Sequence, residues 1–215
     1  MSFDSFTLHI LVSELRDAVL GGRIRHVAQT NSHEIILRIS TESDNRDLLI
    51  SSHPTHARIH LVKQTPKTKE RFHFADFLMQ HLMRGTITRI EQIGLDRILK
   101  ISISPTQSVL CSSLLRNSLL DVAPKLLIAE FMGKHSNIIL VNESTGKILE
   151  SIKHIDESMS RYRQVLPGLE YLLPPQQQKL DPFSLEKTKF MSLFEDNSKQ
   201  QTWRVLLNKD RKSVV

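Results

Sequence analysis

An aspartate and an arginine, Asp96-Arg97, stand directly after the turn-forming pair Gly94-Leu95. An arginine can grip a phosphate through two parallel N–H bonds or stack on a base. The aspartate beside it cannot attract phosphate. It can accept hydrogen bonds from a base edge or a 2′-hydroxyl, and it can orient the guanidinium. Such a pair suits shaped RNA better than bulk polyanion. The plainer reading is a surface ion pair at a strand start, which is commoner among proteins and worth little energy.

Three other segments carry candidate chemistry. In Met132-Gly133-Lys134-His135-Ser136-Asn137 a glycine lets the backbone turn and four polar side chains follow. Lys134 and the backbone N–H groups of such a turn can hold phosphate or sugar, with His135, Ser136 and Asn137 beside them. A polar hairpin turn whose Ser and Asn serve the backbone is the alternative. Arg161-Tyr162-Arg163 places two cations around one aromatic ring, a combination suited to stacking plus phosphate contact. A buried Tyr162 with merely exposed arginines is equally open. Lys153 and His154 lie close enough in sequence to join that cluster. The run His53-Pro54-Thr55-His56-Ala57-Arg58-Ile59-His60 reads as a loop entering a strand, with Arg58 a candidate phosphate contact and a metal role disfavoured.

Catalytic signatures are missing. The sequence holds no GxSxG, no phosphate loop with its lysine and no GxGxxG, and Gly21-Gly22 reads as a helix stop. Glu130 and Glu150 sit in apolar strand contexts without a motif partner. Cys111 is the single cysteine, so no intramolecular disulfide or thiolate zinc site can form. The expectation is a protein that is not an enzyme, with no cofactor, no metal and no small-molecule substrate. Lys and Arg number 29 against 23 Asp and Glu, giving +6, which favours polyanionic partners without settling which. The start of the chain lacks the basic flank and apolar run of a signal peptide, and no apolar stretch reaches transmembrane length. A cytoplasmic protein with no membrane partner is expected.

The elements that must position these residues are short. Hydrophobic residues make up 40% of the chain and aromatics 6%, so the core rests on Leu, Ile and Val. Residues 5–20 have helical spacing, with Phe6, Ile10, Leu11, Leu15, Val19 and Leu20 near one stripe and Asp4 or Ser5 as cap. Strand-like runs follow at 23–29, 33–39, 47–52 and 57–62, separated by Asn, Ser, Asp and Pro. A second helix is predicted over 72–84, with Phe74, Phe77, Leu78 and Leu82 on one face. Strands are then predicted at 86–93 and 96–104, at 125–132 and 137–142, and at 147–154. Residues 105–122 look like an insertion or helical excursion, and 158–175 are irregular. The predicted class is α+β: antiparallel sheets, sandwich-like, with two flanking helices. Domain 1–175 is followed by a linker at 176–181 and by helical patterning over 182–209. That last segment is too short to bury its own apolar residues and reads as the cut-off start of a second domain. Residues 210–215 break the pattern, match one translation frame of a sequencing adapter and are expected to be non-native.

Several ordered segments carry a resemblance. They are Met1-Ser2-Phe3-Asp4, Gly21-Gly22-Arg23-Ile24, Ala57-Arg58-Ile59-His60-Leu61, Glu91-Gln92-Ile93-Gly94-Leu95-Asp96-Arg97-Ile98, residues 132–141, Ser151-Ile152-Lys153-His154, and Tyr162-Arg163 through Leu166-Pro167-Gly168 to Pro174-Pro175. Together, over residues 1–175, they resemble the N-terminal domain of the NFACT family of ribosome quality-control factors, whose bacterial members were often labelled fibronectin-binding protein A. The resemblance implies a fold similar to the N-terminal domain of formamidopyrimidine-DNA glycosylases. It implies binding to large (50S) ribosomal subunits that carry a stalled peptidyl-tRNA. It also implies recruitment of aminoacyl-tRNA, chiefly alanyl-tRNA in bacteria, for template-free C-terminal tailing, with the ribosome itself making the peptide bonds. The family's Asp-Arg pair maps onto Asp96 and Arg97 and its early aspartate onto Asp4. Arg23, Arg58, Lys134, His135, Ser136, Asn137, Lys153, Arg161 and Arg163 complete the candidate RNA contacts. The second helix departs from the family, with Met79-Gln80 where an Arg-Lys pair is usual, so contacts there are expected to be weaker or to shift to Arg71 and Arg84. The family's remaining helical domain, coiled coil and C-terminal RNA-binding domain are not in this sequence, so tailing by this segment alone is not expected. Two rival readings follow from the same resemblance. A glycosylase would need an N-terminal Pro-Glu pair, and this chain begins Met-Ser-Phe-Asp. An adhesin that binds fibronectin would need export, which the start of the chain does not support.

Overall fold

The computed structural model describes residues 3–63, 70–105 and 123–175, together with Glu186 and Thr188. The chain divides into two compact units, Met1–Gln176 and Gln177–Val215, and the elements below belong to the first. The expectations for 105–122, 176–181, 182–209 and 210–215 fall almost wholly outside the described residues.

Helix α1 spans Ser5–Val19 and starts where Asp4, in extended conformation, accepts a hydrogen bond from the Thr7 N–H. Its buried stripe is Leu8, Val12, Leu15 and Val19. This corrects the predicted stripe: Leu15 and Val19 belong to it, but Phe6, Ile10 and Leu20 are exposed. The spacing 8, 12, 15, 19 keeps one face turned inward along a 3.6-residue period, and position 10 lies on the opposite side. Helix α2 spans His73–Leu82 and buries Phe74, Ala75, Leu78 and Leu82, with Phe77 only partly covered.

Nine strands are described: β1 Arg23–Asn31, β2 Glu34–Ser40, β3 Asn45–Ser51, β4 Arg58–Val62, β5 Thr86–Gln92, β6 Ile98–Ser104, β7 Lys125–Glu130, β8 Asn137–Asn142 and β9 Ile148–Ser151. They run in the order β4-β3-β2-β1-β5-β6-β7-β8-β9 and every pairing is antiparallel. The sheet has two halves. They join where β1 and β5 pair through Arg23 and Thr86 alone, extended by backbone bonds from Gly21 to Ile87 and from Ile24 to Gly85. Inward residues of both halves and of both helices form one apolar cluster, from Leu8 and Phe74 to Ile24, Leu37, Ile101 and Leu140. Each fully buried Leu or Ile there stabilises the fold by roughly 1.5–3 kcal/mol.

A second, smaller cluster lies on the other face of β6–β9. There Ile98, Ile128, Ile139, Val141 and Ile148 pack with Ile155 and Val165. The irregular residues after β9 therefore have a packing role. They fold back on themselves through the bridge Ile155 to Val165 and return to the sheet beside β9 through the bridge Lys147 to Glu170 and backbone bonds from Ile148 to Leu169 and from Gly168 to Ile148. The α+β architecture of antiparallel strands with two helices is the one expected. Among the described residues no helix is long and apolar enough to cross a membrane.

Candidate nucleic-acid interface

Antiparallel pairing decides which loops meet. Ile98 pairs with Glu130, and Glu130 pairs with Asn137. The β5–β6 turn, the β7–β8 turn and the start of β8 therefore share one end of the sheet. The Phe131 N–H donates to the Arg97 carbonyl at 2.9 Å. Phe3 sets its ring edge-on to Phe131 with centroids 4.9 Å apart, which brings the start of α1 to the same rim.

Gln92 ties the rim together. Its Nε2 donates to the Ser5 carbonyl and to the Asp96 carbonyl, each at 3.0 Å. Both neighbours are acceptors, so the amide orientation is fixed: a flip would set oxygen against oxygen. Sequence reasoning gave Gln92 no role, because neither acceptor is local to it in an obvious motif.

Asp96 and Arg97 lie in the turn itself. The predicted strand over 96–104 begins at Ile98 instead, because Ile93 N–H bonds to the Ile98 carbonyl and Asp96 N–H to the Ile93 carbonyl. The loop is therefore wider than the predicted Gly94-Leu95 turn. Asp96 is partly covered and Arg97 is exposed. Asp4 is exposed across from them. The Thr7 backbone N–H, first, then its side chain hold the Asp4 carboxyl below its usual range, and the charge of Arg97 adds to this. Asp4, Asp96 and Arg97 thus lie on one rim.

The second cluster divides. Residues Gly133–His135 form a short 3-10 turn with Lys134 and His135 exposed. Ser136 and Asn137, candidate RNA contacts with a backbone-serving turn as the alternative, take the alternative role, because both are buried. Ser136 Oγ accepts from the Met132 N–H at 2.8 Å. Asn137 Nδ2 donates to the Lys153 carbonyl at 2.8 Å, while its Oδ1 accepts from the N–H groups of Ile138 and Lys153. These side chains shape the turn from beneath its surface. The Asn137 clamp brings Lys153 to the rim, and Lys153 Nζ donates to the Lys134 carbonyl at 3.2 Å. Burial, then the charges of Lys134, Lys153 and Arg163, depress the His135 pKa.

The third cluster divides too. Arg163 was expected to face RNA; its side chain is instead 9% exposed and pairs with Glu130, which is fully buried. Its Nη1 donates to Glu130 Oε1 at 2.9 Å and to the Leu172 carbonyl at 2.8 Å, and its Nη2 pairs with Glu130 Oε2. Tyr171 Oη donates to the same carboxylate at 2.7 Å, and burial drives the Tyr171 pKa upward. A glutamate inside an apolar strand demands a cation, and that was the available signal. Choosing Arg163 over other arginines required the return of 155–171 over the sheet. Arg161 and Tyr162 remain at the surface.

Arg58 and Arg23 stand apart from the group. Arg58 pairs with Glu34 at 2.8 Å and donates to the His56 carbonyl at 3.0 Å, so its guanidinium is engaged. Burial raises the Glu34 carboxyl pKa. Hydrogen bonds from Ser51 and Asn31, the Arg58 charge and a hydrogen bond from Thr30 outweigh that and hold it low. The loop before β4 still reaches the rim, because a Cβ on Gly133 would lie 3.6 Å from the Pro54 carbonyl. His33 meets His53 edge-on there and His53 stacks on His56, with ring centroids 5.4 and 5.1 Å apart. Arg23 begins β1 at the opposite end of that strand from Asn31, in an open cleft of about 480 Å³ lined also by Asp17, Arg25 and Glu42. The structure does not bring it to the rim. On α2, Met79 takes the Val27 N–H on its sulfur at 2.9 Å and packs on the core, while Gln80 is exposed. Among the described residues no group of three His, Cys, Asp or Glu is arranged to hold a metal ion.

The family profile described as NFACT N-terminal and middle domains matches residues 4–211. The chain is similar to the Rqc2 homolog RqcH of Bacillus subtilis, 38% identical over 183 residues, covering 85% of this chain and 30% of that protein. It is also similar to the Rqc2 homolog RqcH of Streptococcus pneumoniae, 37% identical over 196 residues, covering 91% of this chain and 34% of that protein. It spans about a third of the length of these curated relatives. Among solved structures, the N-terminal domain of the fibronectin-binding protein PavA from Streptococcus pneumoniae superimposes with a TM-score of 0.79 at 37% identity, covering 99% of this chain and 73% of that one. The N-terminal part of the fibronectin/fibrinogen-binding protein of Streptococcus suis gives 0.77 at 37% identity, covering 93% and 70%. Profile, relatives and fold agree, and the chain belongs to the NFACT family.

Proposed function

We propose that this chain is the RNA-binding part of a ribosome quality-control factor. In this reading the whole protein engages 50S subunits that carry a stalled peptidyl-tRNA and recruits aminoacyl-tRNA, alanyl-tRNA in bacteria. The nascent chain is then extended at its C-terminus without a template. Bond formation is left to the ribosome, and no residue of this chain acts as a catalyst. The observation that carries the reading is the convergence of Asp4, Asp96 and Arg97 on one rim, with Gln92 holding the turn against the start of α1. Arg97 supplies a guanidinium for phosphate or a base, and the two carboxylates supply acceptors for base edges or ribose hydroxyls. Lys134, Lys153 and Arg161 extend the basic surface along the rim, with the His135 imidazole beside them.

The test is sedimentation of the full-length protein with 50S particles bearing tRNA, together with tRNA binding by the variant Asp96→Ala/Arg97→Ala. Co-sedimentation, with tRNA recruitment and tailing lost in the double variant, is expected. Unchanged recruitment and tailing would remove Asp96 and Arg97 from the site. A second reading has support in the solved relatives named for fibronectin or fibrinogen binding. Saturable binding of immobilised fibronectin that survives high salt, without ribosome association, would favour it.

A further inference from the structure

Residues 156–164 hold one aromatic ring out to solvent on a tightly braced loop. Asp156 Oδ1 accepts from the Ser158 N–H, the Ser158 hydroxyl and the Met159 N–H. Ser160 Oγ accepts from the N–H groups of Tyr162 and Arg163. The next residue, Arg163, is locked into the buried pair with Glu130. Between these anchors Tyr162 is 83% exposed, the most exposed of the large hydrophobic side chains described. A loop braced this way loses little backbone conformational entropy when a ligand covers its ring.

The surroundings are cationic. Glu130 ends β7, and the turn bearing Lys134 and His135 begins three residues later. Arg163, bonded to Glu130, therefore fixes the Tyr162 loop beside that turn. Lys153 reaches over the same turn through its bond to the Lys134 carbonyl. Arg161 is exposed directly before the ring. Of the nearby carboxylates, Glu130 is charge-paired with Arg163, while Asp156 and Glu157 keep their charge but are turned into their own loop by bonds to Ser158 and, at 2.7 Å, to Gln164. An aromatic face near cations that no carboxylate among the described residues pairs suits a nucleobase followed by its phosphates better than an apolar peptide.

We propose that Tyr162 is the stacking platform for one unpaired RNA nucleotide, with Arg161, Lys134 and Lys153 receiving the adjoining phosphates, as a subsite separate from Asp96 and Arg97. The proposal rests on the RNA-binding reading above but not on its Asp-Arg pair. A paired base has its faces already stacked, so the site discriminates single strands from duplex.

The probe is a short single-stranded RNA carrying 2-aminopurine, titrated against the whole chain, with the same strand in a duplex as control. Binding should quench the fluorophore with the native protein and with Tyr162→Phe. Tyr162→Ala should lose the quenching and roughly 5- to 150-fold in affinity, the range for one base stacked on an aromatic ring. Its melting temperature should not move, because the ring is exposed. Duplex should bind without the Tyr162 dependence. Asp96→Ala/Arg97→Ala should keep the quenching while losing tRNA. Equal affinity and quenching in Tyr162→Ala would overturn the subsite alone, leaving the Asp-Arg reading intact. A native chain that binds no RNA at all would overturn both.

Discussion

Asp4 combines two tasks that can be separated by substitution. As the cap of α1 it satisfies the Thr7 N–H at 2.7 Å, and as an anion it faces Arg97. Serine can cap but carries no charge, whereas alanine can do neither. Asp4→Ser should therefore keep the melting temperature and lower tRNA affinity. Asp4→Ala should lower both, with a loss of about 1 kcal/mol, or roughly 2–4 °C for a domain of this size. Calorimetry beside a tRNA titration reads the two effects apart, and a tRNA affinity in Asp4→Ser equal to that of the native chain would reduce Asp4 to a cap. Arg163 shows the converse case. The sequence presents it beside Arg161 as one of two similar cations around an aromatic. The fold buries it against Glu130, where removing one partner of such a pair costs roughly 3–5 kcal/mol. Residue type announced charge at both positions, and burial, which depends on a strand 33 residues away, assigned the roles. Ser136 and Asn137 were misplaced for the same reason. A polar side chain in a turn can serve water, a ligand or the backbone, and only the contacts across to Met132 and Lys153 decide.

The elements themselves were largely legible, because period-2 alternation and turn residues are local signals. The predicted strand at 33–39 and the observed β2 Glu34–Ser40 differ by one residue at each end. The joint between the half-sheets was not legible. It depends on β1 meeting β5, which α2 and three strands separate in sequence, and on two glycines with no room for a side chain. A Cβ on Gly22 would meet Ile39 Cγ2 at 2.5 Å and the Val19 carbonyl at 3.0 Å. On Gly85 it would meet Ile103 Cγ2 at 2.6 Å and the Leu82 carbonyl at 3.0 Å. In the sequence Gly22 reads as a helix stop, which hides its second constraint. Gly85→Ala should destabilise by about 1–3 kcal/mol, the usual cost of overpacking, because carbonyl and methyl close on the new group together. A shifted denaturation midpoint with an unchanged slope would match this expectation. A midpoint equal to the native one would mean that the joint has more play than the packing indicates.

At the scale of the molecule, pH should move stability and RNA affinity in opposite directions. Burial, then neighbouring cations, depress the pKa values of His60 and His135 below the usual imidazole value of 6.5. The unfolded chain then binds more protons than the folded one, so their contribution is full above pH 6.5 and declines as pH falls through the folded values. Asp4, Glu34 and Glu150 are also depressed. For Glu150 burial opposes this, while hydrogen bonds from His154 and the Ser151 N–H, with the charges of His154 and His73, outweigh it. Their contribution is full above the unfolded carboxylate values near 4 and is lost below them. Melting temperature should thus fall in two stages on acidification, the first starting below pH 6.5. RNA binding runs the other way. Lys134, Lys153 and Arg163 disfavour a proton on His135, and a phosphate arriving among them relieves that repulsion. Affinity should rise between pH 7.5 and 5.5 while stability declines. The rise should be smaller in His135→Gln, and it should shrink at high salt along with the log–log slope of about −0.7 to −0.9 per phosphate neutralised. An affinity that falls with pH in parallel with the melting temperature would show that RNA does not approach His135, and would move the phosphate path elsewhere on the rim.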